Sequence, residues 1–172
     1  SGLLSSAIGM NKALQKHLMK NAGFPVPGFS VLDRNDWFSG KTDPVTYLNG
    51  LTLPVVIKPA NQGSSIGVSV ISSKDPALFR KAVEKAFFTR RVVRSEWESM
   101  SFESKVEFVR ELSDIREGIG IPVKIASKVI FHPEELLSNL NQLFSEPGDE
   151  VLIESIEGES EVLVEQFIEG KE

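Results

Sequence analysis

Lys58 leaves the apolar run Val55-Val56-Ile57 just ahead of a loop, Gly63-Ser-Ser-Ile-Gly67, made almost wholly of glycine and serine. A loop of this kind brings backbone N–H groups and hydroxyls close to an anion, and an ammonium beside it neutralises phosphate charge. The chemistry it suggests is a phosphate grip. It is not the Walker P-loop, because G-x-x-x-x-G-K-[ST] is absent and no helix pattern follows the loop directly. The same residues also fit an ordinary hairpin with a surface lysine and a flexible turn. Lys12 is a second candidate cation, although it sits in a helix rich in lysines, most of which belong to solvent. The third candidate is Glu165-Gln-Phe-Ile-Glu-Gly-Lys-Glu172, a strand pattern passing into a loop. Such an edge can offer N–H and C=O groups to a purine and a carboxylate to ribose hydroxyls; it equally fits a core strand with solvated acidic neighbours. Ser64 and Ser65 have no evident His and Asp partners, so contact with phosphate or substrate suits them better than nucleophilic attack. His17 and His132 have no metal-ligand spacing. Arg90, Arg91 and Arg94 read as a solvated face, and Trp97, Phe102 and Phe108 as core.

The elements that must hold these residues follow from periodicity. Met10, Leu14 and Leu18, flanked by Ala13, predict a helix over Ser6–Ala22 that stops at Asn21-Ala-Gly23. Pro25 and Pro27 set an extended exit into a short strand, Phe29–Leu32. A short helix is expected near Pro44–Leu48. The stretch Leu53–Ser72 reads as strand, loop, strand. Ser73 caps the next helix, with Asp75-Pro76 in its first turn and Leu78, Val83 and Ala86 to Phe88 on its apolar face. From Thr89 to Ser160 the texture changes. Helices run around Trp97 to Leu112 and end near Gly118-Ile-Gly120, Ile121–Phe131 alternates like a strand, and Pro133–Leu143 is a helix. Two look-alike strands, Glu150–Ile156 and Glu161–Phe167, close the chain. They are either a local duplication or two strands of one pattern, and are too short to define a repeat protein.

Composition narrows the classes. The 172 residues fit one domain, or one domain carrying an insertion, and 41% hydrophobic with 25% charged residues can build a core. A net charge of −5 argues against nucleic acid as the main partner. There is no Cys, which excludes disulfides and thiolate metal sites. No apolar run approaches the roughly 18 residues of a membrane span, and the N-terminus lacks a basic n-region. The default is a cytoplasmic protein without a membrane partner. With no starting Met and an end straight after a strand pattern, the chain reads as a fragment of a longer protein.

Four segments in order resemble the ATP-grasp enzymes, and the D-alanine–D-alanine ligases in particular. Ser1-Gly-Leu-Leu-Ser-Ser-Ala-Ile-Gly-Met-Asn-Lys12 is similar to the start of the ATP-grasp region, with Asn11 where the family usually has Asp. Gly23-Phe-Pro-Val-Pro27 follows. Leu53-Pro-Val-Val-Ile-Lys-Pro59 with Gly63-Ser-Ser-Ile-Gly67 is the most specific match, and Val162-Leu-Val-Glu-Gln-Phe-Ile-Glu-Gly-Lys-Glu172 looks like the adenine-binding strand and hinge. The resemblance implies that Lys12 and Lys58 hold the α- and β-phosphates of ATP. Gly63, Ser64, Ser65 and Gly67 would close over the phosphates, with Ser64 also facing the substrate side. Glu165 would accept from the adenine amino group, the backbone of Gln166 and Ile168 would read the purine edge, Phe167 would lie beside the base, and Glu172 would take the ribose hydroxyls. The similar run Glu154-Ser-Ile-Glu-Gly158 lacks the full motif spacing.

The implied fold is α+β: an ATP-grasp lid subdomain, a small, mostly antiparallel sheet with packed helices, over 1–88 and 161–172. A largely helical insertion of unknown role occupies 89–160. The implied activity is formation of D-alanyl-D-alanine from ATP and two D-alanines for peptidoglycan precursors, in a cytoplasmic homodimer. Mg²⁺ would be held by carboxylates outside this chain, which also lacks the remaining catalytic groups and would be inactive alone. Another ATP-grasp carboxylate–amine ligase, or a non-catalytic binding module, are the alternatives.

Overall fold

The computed structural model describes residues 2–40, 44–48 and 50–170. The chain forms two units, Ser1–Phe87 with Glu159–Glu172, and Phe88–Gly158. The first contains α1 (Leu3–Met10), α2 (Lys12–Asn21), β1 (Phe29–Asp33), α3 (Arg34–Phe38), a 3-10 helix (Pro44–Leu48), β2 (Val55–Pro59), β3 (Ser69–Ile71), α4 (Pro76–Ala86) and β8 (Glu161–Gln166). The second contains β4 (Thr89–Val93), α5 (Arg94–Ser99), α6 (Phe102–Ser113), β5 (Val123–Ile125), β6 (Lys128–Ile130), α7 (Pro133–Leu143) and β7 (Glu150–Ser155).

The first unit is a four-stranded antiparallel sheet in the order β1-β8-β2-β3. Its inner strand, β8, fully buries Val162, Leu163 and Val164, so both of its faces are covered. Val162 and Val164 join Val55, Ile57, Trp37, Phe79 and Val83 in one core. Leu163 points the other way, onto Ala13 of α2 and Ala60. Each fully buried aliphatic side chain contributes about 1.5–3 kcal/mol, so this three-residue run pins the sheet. Arg34 fastens the two places where the chain leaves and re-enters the unit. Its guanidinium donates to the carbonyls of Phe87 (3.1 Å) and Glu159 (3.3 Å), and its N–H to that of Ser160 (2.9 Å).

Four sequence expectations change here. The single helix over Ser6–Ala22 is two helices, broken where Asn11 turns extended and caps α2 by accepting from the Leu14 N–H at 2.8 Å. Its apolar stripe does not face the core: Met10, Leu14 and Leu18 are 63%, 43% and 44% exposed, while Ala13 and the stems of Lys12 and Lys16 turn toward the sheet. On α4 the N-cap is Asp75, which accepts from the Ala77 N–H at 2.8 Å, rather than Ser73. The buried face is Phe79, Ala82, Val83 and Ala86, and Leu78 is exposed.

The second unit is a four-stranded antiparallel sheet, β4-β7-β5-β6, with three helices. Helical residues outnumber strand residues, yet the segment expected as a largely helical insertion is organised by its own sheet. The one strand expected over Ile121–Phe131 is a tight hairpin that turns at Ala126, whose φ is 53°. Trp97 is buried and donates Nε1–H to Asn141 Oδ1 at 3.1 Å. Phe102 is 65% exposed, so it is not core. Arg90, Arg91 and Arg94 do not form a merely solvated face; they pair with Glu96, Glu150 and Glu98. Gly118 is required: a Cβ there would lie 2.5 Å from Leu112 Cα.

Candidate functional site

The face of the first sheet that carries Leu163 also carries the chemistry. Lys58 pairs directly with Leu163, and Glu165 lies two residues further along β8, opposite Val56 and Phe29. The period of two puts Lys58, Leu163 and Glu165 on the α2 side. Glu165 is held between two ammoniums, Lys16 Nζ at 2.6 Å from Oε1 and Lys58 Nζ at 2.5 Å from Oε2. The second contact is an ion pair without hydrogen-bond alignment. Burial pushes the Glu165 carboxyl up, but the two lysines outweigh it and hold its pKa below the usual carboxylate value.

That direction sets a pH dependence. A carboxyl with a lowered folded pKa stabilises the fold above its unfolded value, about 4.3, and loses that contribution as pH falls through the folded value. The Glu165→Gln variant should therefore be less stable than wild type at pH 7, with the gap closing toward pH 3. Urea midpoints across that range check it; a gap that stays constant with pH would refute it.

Lys12 lies beside this pair but does not contact Glu165. Its Nζ donates to the carbonyls of Pro59 (3.3 Å), Ala60 (3.4 Å) and Gln62, which together take the three donors of an ammonium. Its N–H also binds Ala60 O at 2.9 Å, so the start of α2 clamps the exit of β2. Burial lowers the Lys12 pKa, the Glu159 charge opposes this, and the Lys58 charge adds to it. Glu159, almost fully buried, accepts from the Asn61 N–H at 3.0 Å and from Asn61 Nδ2 at 2.7 Å. Neither Lys16 nor Glu159 was singled out from sequence. Lys16 follows Lys12 by one helical turn, a signal that was there to use. Glu159 had no such signal, because its partner Asn61 is 98 residues away in the chain.

The loop after Lys58 is two successive turns. Ser64 and Ser65 have φ of 52° and 59°, and the Ile66 N–H reaches Gly63 O at 3.1 Å, a type I′ pattern. Gly67 follows with φ 71°, inside a turn closed by Val68 N–H to Ser65 O at 3.3 Å. The left-handed region costs a non-glycine residue about 1–2 kcal/mol, and here two serines adopt it in sequence while exposed. Ser65→Gly should thus raise stability by about 0.5–1 kcal/mol, after the entropy that glycine adds to the unfolded chain. A urea midpoint that falls instead would contradict this.

The end of β8 places the remaining candidates. The Gln166 side chain clamps Thr52, accepting from its N–H and hydroxyl at 2.9 Å each and donating to its carbonyl at 2.8 Å. The Gln166 N–H is bonded to Gly28 O at 2.8 Å, and the Phe167 N–H to Pro54 O at 3.1 Å. Phe167 and Ile168 are exposed apolar residues just past the strand. Glu172 lies outside the described residues. His17 packs edge-on against Phe29, at 5.1 Å between ring centroids. Among the described residues, no group of three or more His, Cys, Asp or Glu could hold a metal ion, and no helix is long and apolar enough to cross a membrane.

The arrangement gathers Lys12, Lys16 and Lys58 near an exposed serine loop, with Glu165 as the counter-ion an incoming anion would have to displace. The sequence was also compared with known proteins. A D-alanine--D-alanine ligase of Syntrophobacter fumaroxidans is 45% identical over 75 residues, which are 44% of this chain and 23% of that protein. D-alanine--D-alanine ligase B of Chromobacterium violaceum is 41% identical over 95 residues, 55% of this chain and 29% of that one. Among solved structures, the VanG D-Ala:D-Ser ligase of Enterococcus faecalis aligns with a TM-score of 0.49 at 20% identity, over 97% of this chain and 27% of its own. The chain spans under a third of the length of these relatives. The family model described as D-ala D-ala ligase C-terminus matches residues 18–108, more than half of the sequence, and the chain belongs to that family.

Proposed function

We propose that this chain supplies the ATP-binding lid of a D-alanine–D-alanine ligase. Residues 1–88 and 161–172 form the lid in this reading, and 89–160 an insertion. The observation that carries it is the Lys16–Glu165–Lys58 cluster under α2, next to the Ser64-Ser65 turns. Lys58 exchanges Glu165 for a phosphate oxygen, and Lys12 adds its charge on the α- and β-phosphate side. Gly63, Ser64, Ser65 and Gly67 fold over the phosphates. Glu165, Gln166, Phe167 and Ile168 flank the adenine, and Glu172 takes the ribose hydroxyls.

In the enzyme to which this lid belongs, the γ-phosphoryl group moves from ATP to the carboxylate of one D-alanine, releasing ADP. The amine of a second D-alanine then attacks the acyl phosphate, a peptide bond forms, and phosphate leaves. The lysines and the loop contribute charge neutralisation and positioning, where phosphoryl-transfer catalysis mostly resides. Mg²⁺ would neutralise phosphate charge, held by oxygens of ATP and by carboxylates outside this chain. The reading extends to a cytoplasmic homodimer making peptidoglycan precursors, with this chain inactive alone.

The test is ATP-dependent phosphate release by the longest protein that contains this chain, with D-alanine against L-alanine, D-lactate and D-serine. Release with D-alanine alone supports the reading. Release with another acceptor keeps the ATP chemistry and moves the substrate. No release with any acceptor, from folded protein, would overturn it in favour of a non-catalytic module.

A further inference from the structure

The second unit repeats the first strand for strand. The order β1-β8-β2-β3 is matched by β4-β7-β5-β6. Asp33 and Phe29 lie opposite Glu161 and Glu165; Val93 and Thr89 lie opposite Glu150 and Glu154. Val55 and Ile57 lie opposite Gln166 and Val164; Val123 and Ile125 lie opposite Ser155 and Ile153. Val55 pairs outward with Ile71, and Val123 with Ile130. One alignment satisfies every pairing, and the same alignment sets Glu161-Val-Leu-Val-Glu165 on Glu150-Val-Leu-Ile-Glu154. It also sets Arg34-Asn-Asp-Trp37 on Arg94-Ser-Glu-Trp97.

A shared strand order recurs by chance, but the anchoring arginine does not follow from strand order. The Arg34 N–H reaches the carbonyl of Ser160, the residue before β8; the Arg94 N–H reaches that of Asp149, the residue before β7, at 2.7 Å. The Arg34 guanidinium donates to Phe87 O and Glu159 O; that of Arg94 donates to Phe144 O and Gly148 O. Phe87 and Phe144 each end an 11-residue helix that begins with proline, and each lies under its arginine, at 5.8 and 5.6 Å. Phe167 N–H binds Pro54 O and Ile156 N–H binds Pro122 O, both at 3.1 Å.

What the second unit lacks is the anion-binding equipment. Between β5 and β6 stand only Ala126 and Ser127, where β2 and β3 are joined by residues 60–68. Ala126 occupies the position of Lys58. The unit opens at Phe88, directly before β4, so α2 with Lys12 and Lys16 has no counterpart. The sheet face corresponding to the site carries Arg91 paired with Glu150, and Lys124 opposite Glu154. We infer that residues 88–158 are a second copy of the first unit's fold, stripped of its phosphate loop and lysine helix, so that the chain holds one polyphosphate site and the second unit none. The inference rests on the proposed ATP reading only for what the copy has lost.

Titration calorimetry of the whole chain with inorganic tripolyphosphate tests the site count. Wild type and Lys124→Ala are expected to bind one equivalent, and Lys58→Ala to show no saturation over the concentrations that saturate wild type. Binding that survives Lys58→Ala and disappears when Lys124→Ala is added would give the second unit a site of its own and overturn the inference. No binding by wild type would refute the ATP reading of the first unit and the count of one site, and would leave the copied fold to the arginine test. The duplication has its own readout in Arg34→Lys and Arg94→Lys, followed in urea by Trp37 and Trp97 in Trp97→Phe and Trp37→Phe backgrounds. Each change should lower the midpoint of its own unit by comparable amounts. A neutral Arg94→Lys beside a destabilising Arg34→Lys would overturn the equivalence.

Discussion

Lys58→Ala should weaken ATP binding by about 10–100-fold while leaving the fold in place. A charge-assisted contact is worth about 1.5–3 kcal/mol, and each 1.4 kcal/mol is a factor of ten. Lys58 is the cation at the end of β2, 2.5 Å from Glu165 Oε2, and a phosphate oxygen must compete with that carboxylate for it. The fold survives because Glu165 keeps Lys16 at 2.6 Å and is not left as a bare buried charge. Lys58→Arg retains charge but replaces a point ammonium with a planar fork, so it should recover only part of the affinity. Calorimetric dissociation constants, with circular dichroism to verify folding, decide the matter. An unchanged constant for Lys58→Ala would remove this residue from the site.

Trp97→Ala should cost about 3–5 kcal/mol, the range for deleting a buried large aromatic. The indole is 1% exposed, lies against Phe108 and Phe144 at 6.0 and 6.1 Å between ring centroids, and gives Asn141 its hydrogen bond. Removing it opens a cavity and leaves the amide oxygen without that donor. Such a loss is a large share of the 5–15 kcal/mol that holds a typical domain together. The comparison is Phe102→Ala on α6, exposed and expected within about 0.5 kcal/mol of wild type. Amide exchange at Val123 and Ile153 should speed up in the first variant alone; equal protection in both would refute the assignment of Trp97 as the centre of this core.

The parts of the site legible in the sequence were those with local signatures: a lysine closing a β-run, a glycine-serine loop, and an acidic strand end. Lys58 and Glu165 came from separate motifs, and antiparallel pairing brought them together. The missed parts were non-local or phase-dependent. Lys16 follows Lys12 by one helical turn and so shares its face of α2, but nothing local shows that this face meets a carboxylate 149 residues away. The apolar stripe Met10-Leu14-Leu18 misled for the same reason: the sheet face under α2 carries Lys58 and Glu165, so α2 presents lysines and a small Ala13 to it. On α4 both the start and the face differ: the helix begins at Pro76, two residues later than a Ser73 cap would set it, and Phe79, Ala82, Val83 and Ala86 share the buried face at helical spacing. The look-alike strands hold the same place in the order of their two sheets, which shows only in the neighbours each one pairs with.

Arg34 has a consequence for how this chain can be edited. One guanidinium reaches both Phe87 O and Glu159 O, so the chain ends on either side of residues 88–158 meet within the first unit. A segment spliced between neighbouring, fastened stumps leaves the path of the host unchanged, and its length matters little because closure entropy grows only with the logarithm of loop size. The same junction is where a short glycine linker could replace about seventy residues while β8 stays in register between β1 and β2.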